Sequence, residues 1–217
     1  MSPSATFEHL DAARQAHIFQ VALEEFAEHG FHQASANHIV ARLGIAKGSL
    51  FKYFGTKQEL FAWTFSRSMD LFGAALREVR EATQGKDFFT RVTASLDAGL
   101  VFLQQYPEVY KLYLKMLFHE TVPMRETLLA AVRQASSRYL TPLVREGRVR
   151  GDLRADLDDG LAVFVLDAVM DRFLQARVLP YVETGLAVYD QDLAQGRAAV
   201  AALMDVLRRG LGNATAP

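Results

Sequence analysis

The chain contains no cysteine, which excludes a disulfide framework and any thiolate metal or redox centre. A reducing, cytoplasmic setting is the expectation. It also lacks long hydrophobic runs: LAVFVL at 161–166, like every other run in the chain, is far too short to span a bilayer. The opening MSPSATFEHLDAARQ has no basic-then-apolar pattern of a signal peptide. Alternating apolar and polar residues of the kind that build strands are missing as well, and so are internal repeats and low-complexity tracts. No membrane partner is expected.

One further absence is local. The net charge is −1, yet between Glu28 and Glu59 there is no acidic residue at all, while Arg42, Lys47, Lys52 and Lys57 fall there with His29, His32 and His38. Phosphate binding draws on local charge of this kind rather than on the sum, although a solvated basic face has the same composition.

What is present is helical spacing from end to end. Phe19, Ala22, Leu23 and Phe26 mark one face of a first helix, with Gly30 as a left-handed stop. Ser35 is suited to cap a second helix that carries Ile39 and Leu43, and Gly44 breaks it. A third helix is expected over 46–54. Thr56-Lys57-Gln58-Glu59 has the form of a capping box that opens a long fourth helix, ending near Thr83. TQGKD at 83–87 reads as a turn. Leu96, Leu100 and Leu103 belong to a helix that stops before Tyr106-Pro107. Pro107 and Pro123 suit first helical turns. Gly147 and Gly151 are expected to bracket a break, with helices near 156–180 and 191–211 beyond it. The fold class is all-α.

LGIAKGSLFKYF at 43–54 holds the most specific chemistry. A phosphate loop needs G-x-x-x-x-G-K-[ST] after a strand. Here the order is Lys47-Gly48-Ser49, a helix precedes it, and no sheet is at hand. Three short helices with a glycine-centred turn between the second and third instead match a helix-turn-helix unit. On a helical wheel Leu50 and Phe54 face inward, while Gly48, Ser49, Lys52 and Tyr53 fall on the other side. A bare Gly48 lets the backbone approach base edges, and Ser49 and Lys52 can reach bases or phosphates. Lys47, Tyr53 and Lys57 would hold the DNA backbone, with Ser35 at the start of the preceding helix.

The stretches ALEEFAEHGF at 22–31 and SANHIVARLGIAKGSLFKYFGTKQELF at 35–61 resemble the N-terminal domain of TetR-type (tetracycline-repressor-like) transcriptional regulators. Phe51 stands where a tyrosine is frequent, cannot offer a hydroxyl to phosphate, and reads as packing. The resemblance implies a DNA-binding domain over 11–71, with its helix-turn-helix at about 34–53, and a ligand-binding and dimerisation domain over 72–217. It further implies a repressor that sits as a homodimer on a palindromic double-stranded DNA operator and is released by a small-molecule effector, for which the mid-chain aromatics suggest an apolar or aromatic compound. On that reading the last two long helices pair two copies, with Leu161, Phe164, Val165, Ala168, Val200, Leu203 and Leu207 at the interface. Leu193 and Leu211 extend the same spacing.

Candidates for the effector pocket are Phe102, Tyr106, Tyr110, Tyr113, His119 and Phe164, the tyrosines first because a buried hydroxyl wants a partner. Taken singly, each aromatic reads first as ordinary core. His29-x-x-His32 spans a helix end without a third ligand at a useful spacing, so no metal is assigned. Asp167 and Asp171 read as a salt-bridged helix surface beside Arg172. No nucleophile triad or dinucleotide fingerprint appears, so neither a cofactor nor catalysis is expected. A helical small-molecule sensor or carrier without specific DNA binding is the alternative.

Overall fold

The structure, a computed structural model, describes residues 3–118, 121–122, 124–183 and 185–213. Among these the chain forms α1 (Ala5–Glu8), α2 (Ala12–Gln33), α3 (Ala36–Leu43), α4 (Lys47–Phe54), α5 (Lys57–Ala82), α6 (Phe88–Gln105), α7 (Pro107–Phe118), α8 (Arg125–Val149), α9 (Asp159–Val178) and α10 (Leu193–Leu211). The fold is all-α. No strand occurs among the described residues, only an isolated bridge between Leu153 and Gly212.

Local chemistry starts most of these helices. Asp11, Ser35 and Asp158 each cap a helix by accepting a backbone N–H three residues on. Asp192 and Gln195 form a reciprocal capping box at α10. At α5, Thr56 accepts from the Glu59 amide at 3.1 Å, but the Glu59 carboxylate takes the Thr56 hydroxyl rather than reaching back to the backbone. Pro107 opens α7 as expected. Pro123 lies outside the described residues. Gly30 kinks α2 without ending it: its φ of 68° and ψ of −177° are followed by one more turn, through Gln33.

The chain divides into two compact units, residues 1–72 with 106–132, and residues 73–105 with 133–217. In the first, α2 packs on both α3 and α7. Its core is aromatic: Phe26 meets Phe61 edge-on at 5.0 Å, and Phe61 meets Phe31 at 5.3 Å. Ile18, Ile39, Leu50, Leu60 and Phe65 fill the space around them. Val109, Leu112 and Met116 bury the inner face of α7, and Lys111 of α7 pairs with Glu28 of α2.

In the second unit α6 is the element on which others converge. Leu96 and Leu100 are fully buried, Arg91 pairs with Glu146 of α8, and the Ser95 hydroxyl meets the Tyr139 hydroxyl at 2.7 Å. Gly147 does not break the chain as the sequence suggested. It lies inside α8, where a Cβ would stand 2.9 Å from the ring of buried Phe88. Close helix approach is the reason for the glycine, and the break comes at Gly151 with its φ of 80°. Gly147→Val is therefore expected to cost about 1–3 kcal/mol through overpacking. Urea denaturation would show this as a lowered midpoint; an unchanged midpoint would mean that α8 and α6 part at little cost.

Candidate nucleic-acid interface

The helix-turn-helix is built by three local devices. Ser35 caps α3 by accepting from the His38 amide at 3.4 Å. Glu25, buried on α2, accepts from the Ser35 amide at 2.7 Å and lies 3.6 Å from His38 Nδ1. At the other end of α3, Gly44 adopts φ 63° and ψ 32°, and its amide and that of Ile45 return to Ala41 and Val40. That is a Schellman stop, which favours glycine because no Cβ opposes a left-handed backbone. Glu24, adjacent to Glu25, pairs with Arg42 in the last turn of α3. Hydrogen bonds from Arg42 and then Gln20 hold the Glu24 carboxyl below its ordinary range. Two neighbouring glutamates of α2 thus fix both ends of α3 and so the angle at which α4 leaves the turn.

α4 follows with a sharply divided surface. Leu50 and Phe54 are buried, whereas Lys47, Gly48 and Lys52 are exposed and Ser49 is half-buried. A Cβ placed on Gly48 would meet no heavy atom within 4 Å. Ala46 offers no side-chain cap to the N-terminus of α4, which leaves amides there for an anionic group. Among the described residues no acidic side chain pairs with Lys47 or Lys52. Asn37 and His38 are also exposed, on the first turn of α3, and nothing in the helical spacing singled them out.

Two of the expected backbone contacts are placed elsewhere. Tyr53 is only 8% exposed; it sits three residues after Leu50, short of a full turn, and so shares the buried side. Its ring lies edge-on to Phe7 at 6.0 Å. Lys57 donates through Nζ to the Ala34 and His32 carbonyls at 2.8 and 3.2 Å, and stands 5.0 Å from the Phe31 ring centre. It serves the carbonyl end of α2, a common role for lysine. Of the four cations in the acid-free stretch, Lys47 and Lys52 remain open to a partner.

The residues proposed for an effector pocket fall in both units. Tyr110 and Tyr113 are buried on α7 with ring centres 5.7 Å apart, and Tyr106 is half exposed just before them, all in the first unit. Phe102 is buried in α6 of the second unit. Phe164 is 70% exposed on α9. It borders a groove of about 450 Å³ with Val163, Ser136, Thr141, Arg133 and Asp167. His119 lies outside the described residues.

The expected interface residues divide in two. Val200 and Leu207 are buried within their own unit, where α10 packs on α6, so they are core and not a free seam. Leu211 is buried likewise, and Leu193 and Leu203 are half-buried. Leu161, Phe164 and Ala168, by contrast, line the exposed side of α9, with Val165 half-buried beside them. Asp167 and Asp171 are tied to Arg133 of α8 at 2.9 and 3.2 Å, rather than to Arg172. Among the described residues no helix is long and apolar enough to cross a membrane, and no cluster of metal-ligating side chains occurs.

A capped α3, a left-handed glycine stop and an α4 with a bare, cationic outer face make up a helix-turn-helix module. Residues 18–62 match the model of the family described as bacterial regulatory proteins, tetR family. Over that stretch the chain is similar to the TetR-type proteins. It is 27% identical over 99 residues to the HTH-type transcriptional activator FasR of Mycolicibacterium smegmatis, a match covering 46% of this chain and 44% of FasR. The chain thus spans under half the length of that relative. A longer match joins it to the HTH-type transcriptional regulator RutR of Escherichia coli, at 25% identity over 83% of this chain and 82% of RutR. Among solved structures, a TetR family transcriptional regulator from Chloroflexus aurantiacus superposes with a TM-score of 0.69 at 28% identity, covering 98% of this chain and 99% of that one.

Proposed function

We propose that this protein is a transcriptional regulator that binds a palindromic operator as a homodimer and leaves it when a small apolar or aromatic effector binds. The observation that carries the reading is the outer face of α4: Lys47, Gly48 and Lys52 exposed, with open space over Gly48 and no acidic neighbour in sequence from residue 29 to 58. Such a face suits a major groove, glycine admitting the helix close to the bases and lysines meeting phosphates. A carrier without DNA affinity has no use for it. The DNA contacts are Lys47, Gly48, Ser49 and Lys52, with Asn37 and His38 beside them.

Tyr110 and Tyr113 are the effector contacts we favour, for they sit on α7, which packs on α2 within the same unit as the helix-turn-helix. A ligand that shifts α7 acts on the element whose glutamates hold α3. The function is non-catalytic and cytoplasmic on this reading.

Fluorescence anisotropy against DNA fragments from upstream of the gene tests it. Tight binding to one near-palindromic fragment is expected, weakening steeply with salt. Lys52→Ala should weaken binding and lower the slope of log K against log salt by about one per subunit, the value for one lost phosphate contact. Weak binding to every fragment, with an unchanged slope in the variant, would favour the carrier instead.

A further inference from the structure

Residues 3–10 precede the region that carries the family resemblance, yet they are built into the head. Phe7, in the four-residue α1, is 3% exposed. Its ring lies 4.9 Å from Phe54, 5.1 Å from Trp63 and 6.0 Å from Tyr53. Two of those three side chains belong to α4. Backbone joins backbone as well: the Ser4 amide donates to the Tyr53 carbonyl at 2.9 Å, at the end of α4 where carbonyls lack helical partners. The strap is closed from below by Gln15 of α2. Its Nε2 lies within 2.9–3.3 Å of the carbonyls of Phe7, Glu8 and Leu10. A surface segment with no purpose would not bury a phenylalanine and spend a glutamine side chain on three carbonyls.

We propose that residues 3–10 are a strap that fixes the recognition helix, with Phe7 a positioning residue for operator reading. The inference rests on α4 being the DNA-reading helix. α4 has only eight residues, too short to hold its own shape in water, and its C-terminal half is gripped by the strap at Tyr53 and Phe54. Its outer face, Lys47 to Ser49 with Lys52, bears the DNA contacts on that reading. Loosening the strap leaves Lys47 and Lys52 in place, so electrostatic attraction to any DNA persists. What goes is the fixed pose on which base-edge readout depends.

The experiment uses the full chain with Phe7→Ala, Phe7→Leu and Gln15→Ala. Amide exchange without DNA is read first. Phe7→Ala should speed exchange at least about tenfold through residues 5–8 and 47–54, leaving 193–211 unchanged. Emission from Trp63, the sole tryptophan, should shift to the red as its ring loses Phe7. Operator affinity should fall about tenfold or more, while affinity for unrelated DNA and the salt slope hold. Phe7→Leu should restore most of the loss, and Gln15→Ala, which removes no core atom, should show the same pattern more weakly. Fast exchange confined to 5–8, with 47–54 protected as before, would overturn the strap. Equal losses on operator and unrelated DNA would overturn the positioning role. Failure of the wild-type protein to prefer any operator would sink the DNA reading, and it is seen before any variant is compared.

Discussion

Gly48→Trp is expected to abolish operator binding while leaving the protein as stable as before. The position has open space where a Cβ would go, with no heavy atom within 4 Å, so an indole is accommodated by the free protein. Glycine is also the weakest helix former after proline, and its replacement inside α4 should raise helix stability by a few tenths of a kcal/mol. On DNA the same indole occupies the gap between helix backbone and base edges. Either α4 is lifted from the groove or the pose is lost. Both remove the short-range contacts that supply specificity, and a loss of more than about a hundredfold, ~3 kcal/mol, follows. Residual binding should be weak, indifferent to sequence and as salt-sensitive as before, since both lysines remain. Thermal melting and anisotropy on one preparation check the two halves. Unchanged operator affinity in Gly48→Trp would show that α4 does not lie in a groove, whatever the lysines do.

Much of this face was legible because its determinants are local. A serine cap, a left-handed glycine and an apolar pair at Leu50 and Phe54 need only neighbouring residues to act. The misreadings are non-local. Tyr53 stood at the edge of the polar side on the wheel, and what buries it is Phe7, far off in sequence, in a helix too short to show a period. Lys57 counted toward the local positive charge until the carbonyl end of α2 claimed it. Gly147 carried the same ambiguity: a glycine in a helical pattern can be a stop or a contact, and only the ring of Phe88 decides. Spacing along α10 was real, but a period does not name its partner, and α6 of the same unit takes Val200 and Leu207.

That last distinction sets the second large prediction, Phe164→Arg. Leu161 and Phe164 are 52% and 70% exposed, and with Ala168 they follow the i, i+3, i+7 spacing of a single helix face. Large apolar side chains grouped on one exposed face mark an interaction surface more often than chance. A second copy of the chain is the partner proposed here, and its symmetry axis would bring each Phe164 near its counterpart or near a neighbour on the same face. An arginine there buries a charge without a partner, and two copies repel, so the variant should be monomeric at concentrations where the wild type is a dimer. Because Phe164 is largely exposed within its own chain, the monomer should keep its helicity and melt cooperatively. Operator affinity should then fall about a hundredfold or more, since the second head no longer binds at the effective concentration set by the first. Val200→Arg makes the contrast: at 1% exposure it should disrupt the unit itself, with lost cooperativity rather than a clean monomer. Sedimentation with melting separates the two. A Phe164→Arg protein that stays dimeric, with full operator affinity, would move the interface away from α9 and leave this apolar face to another partner.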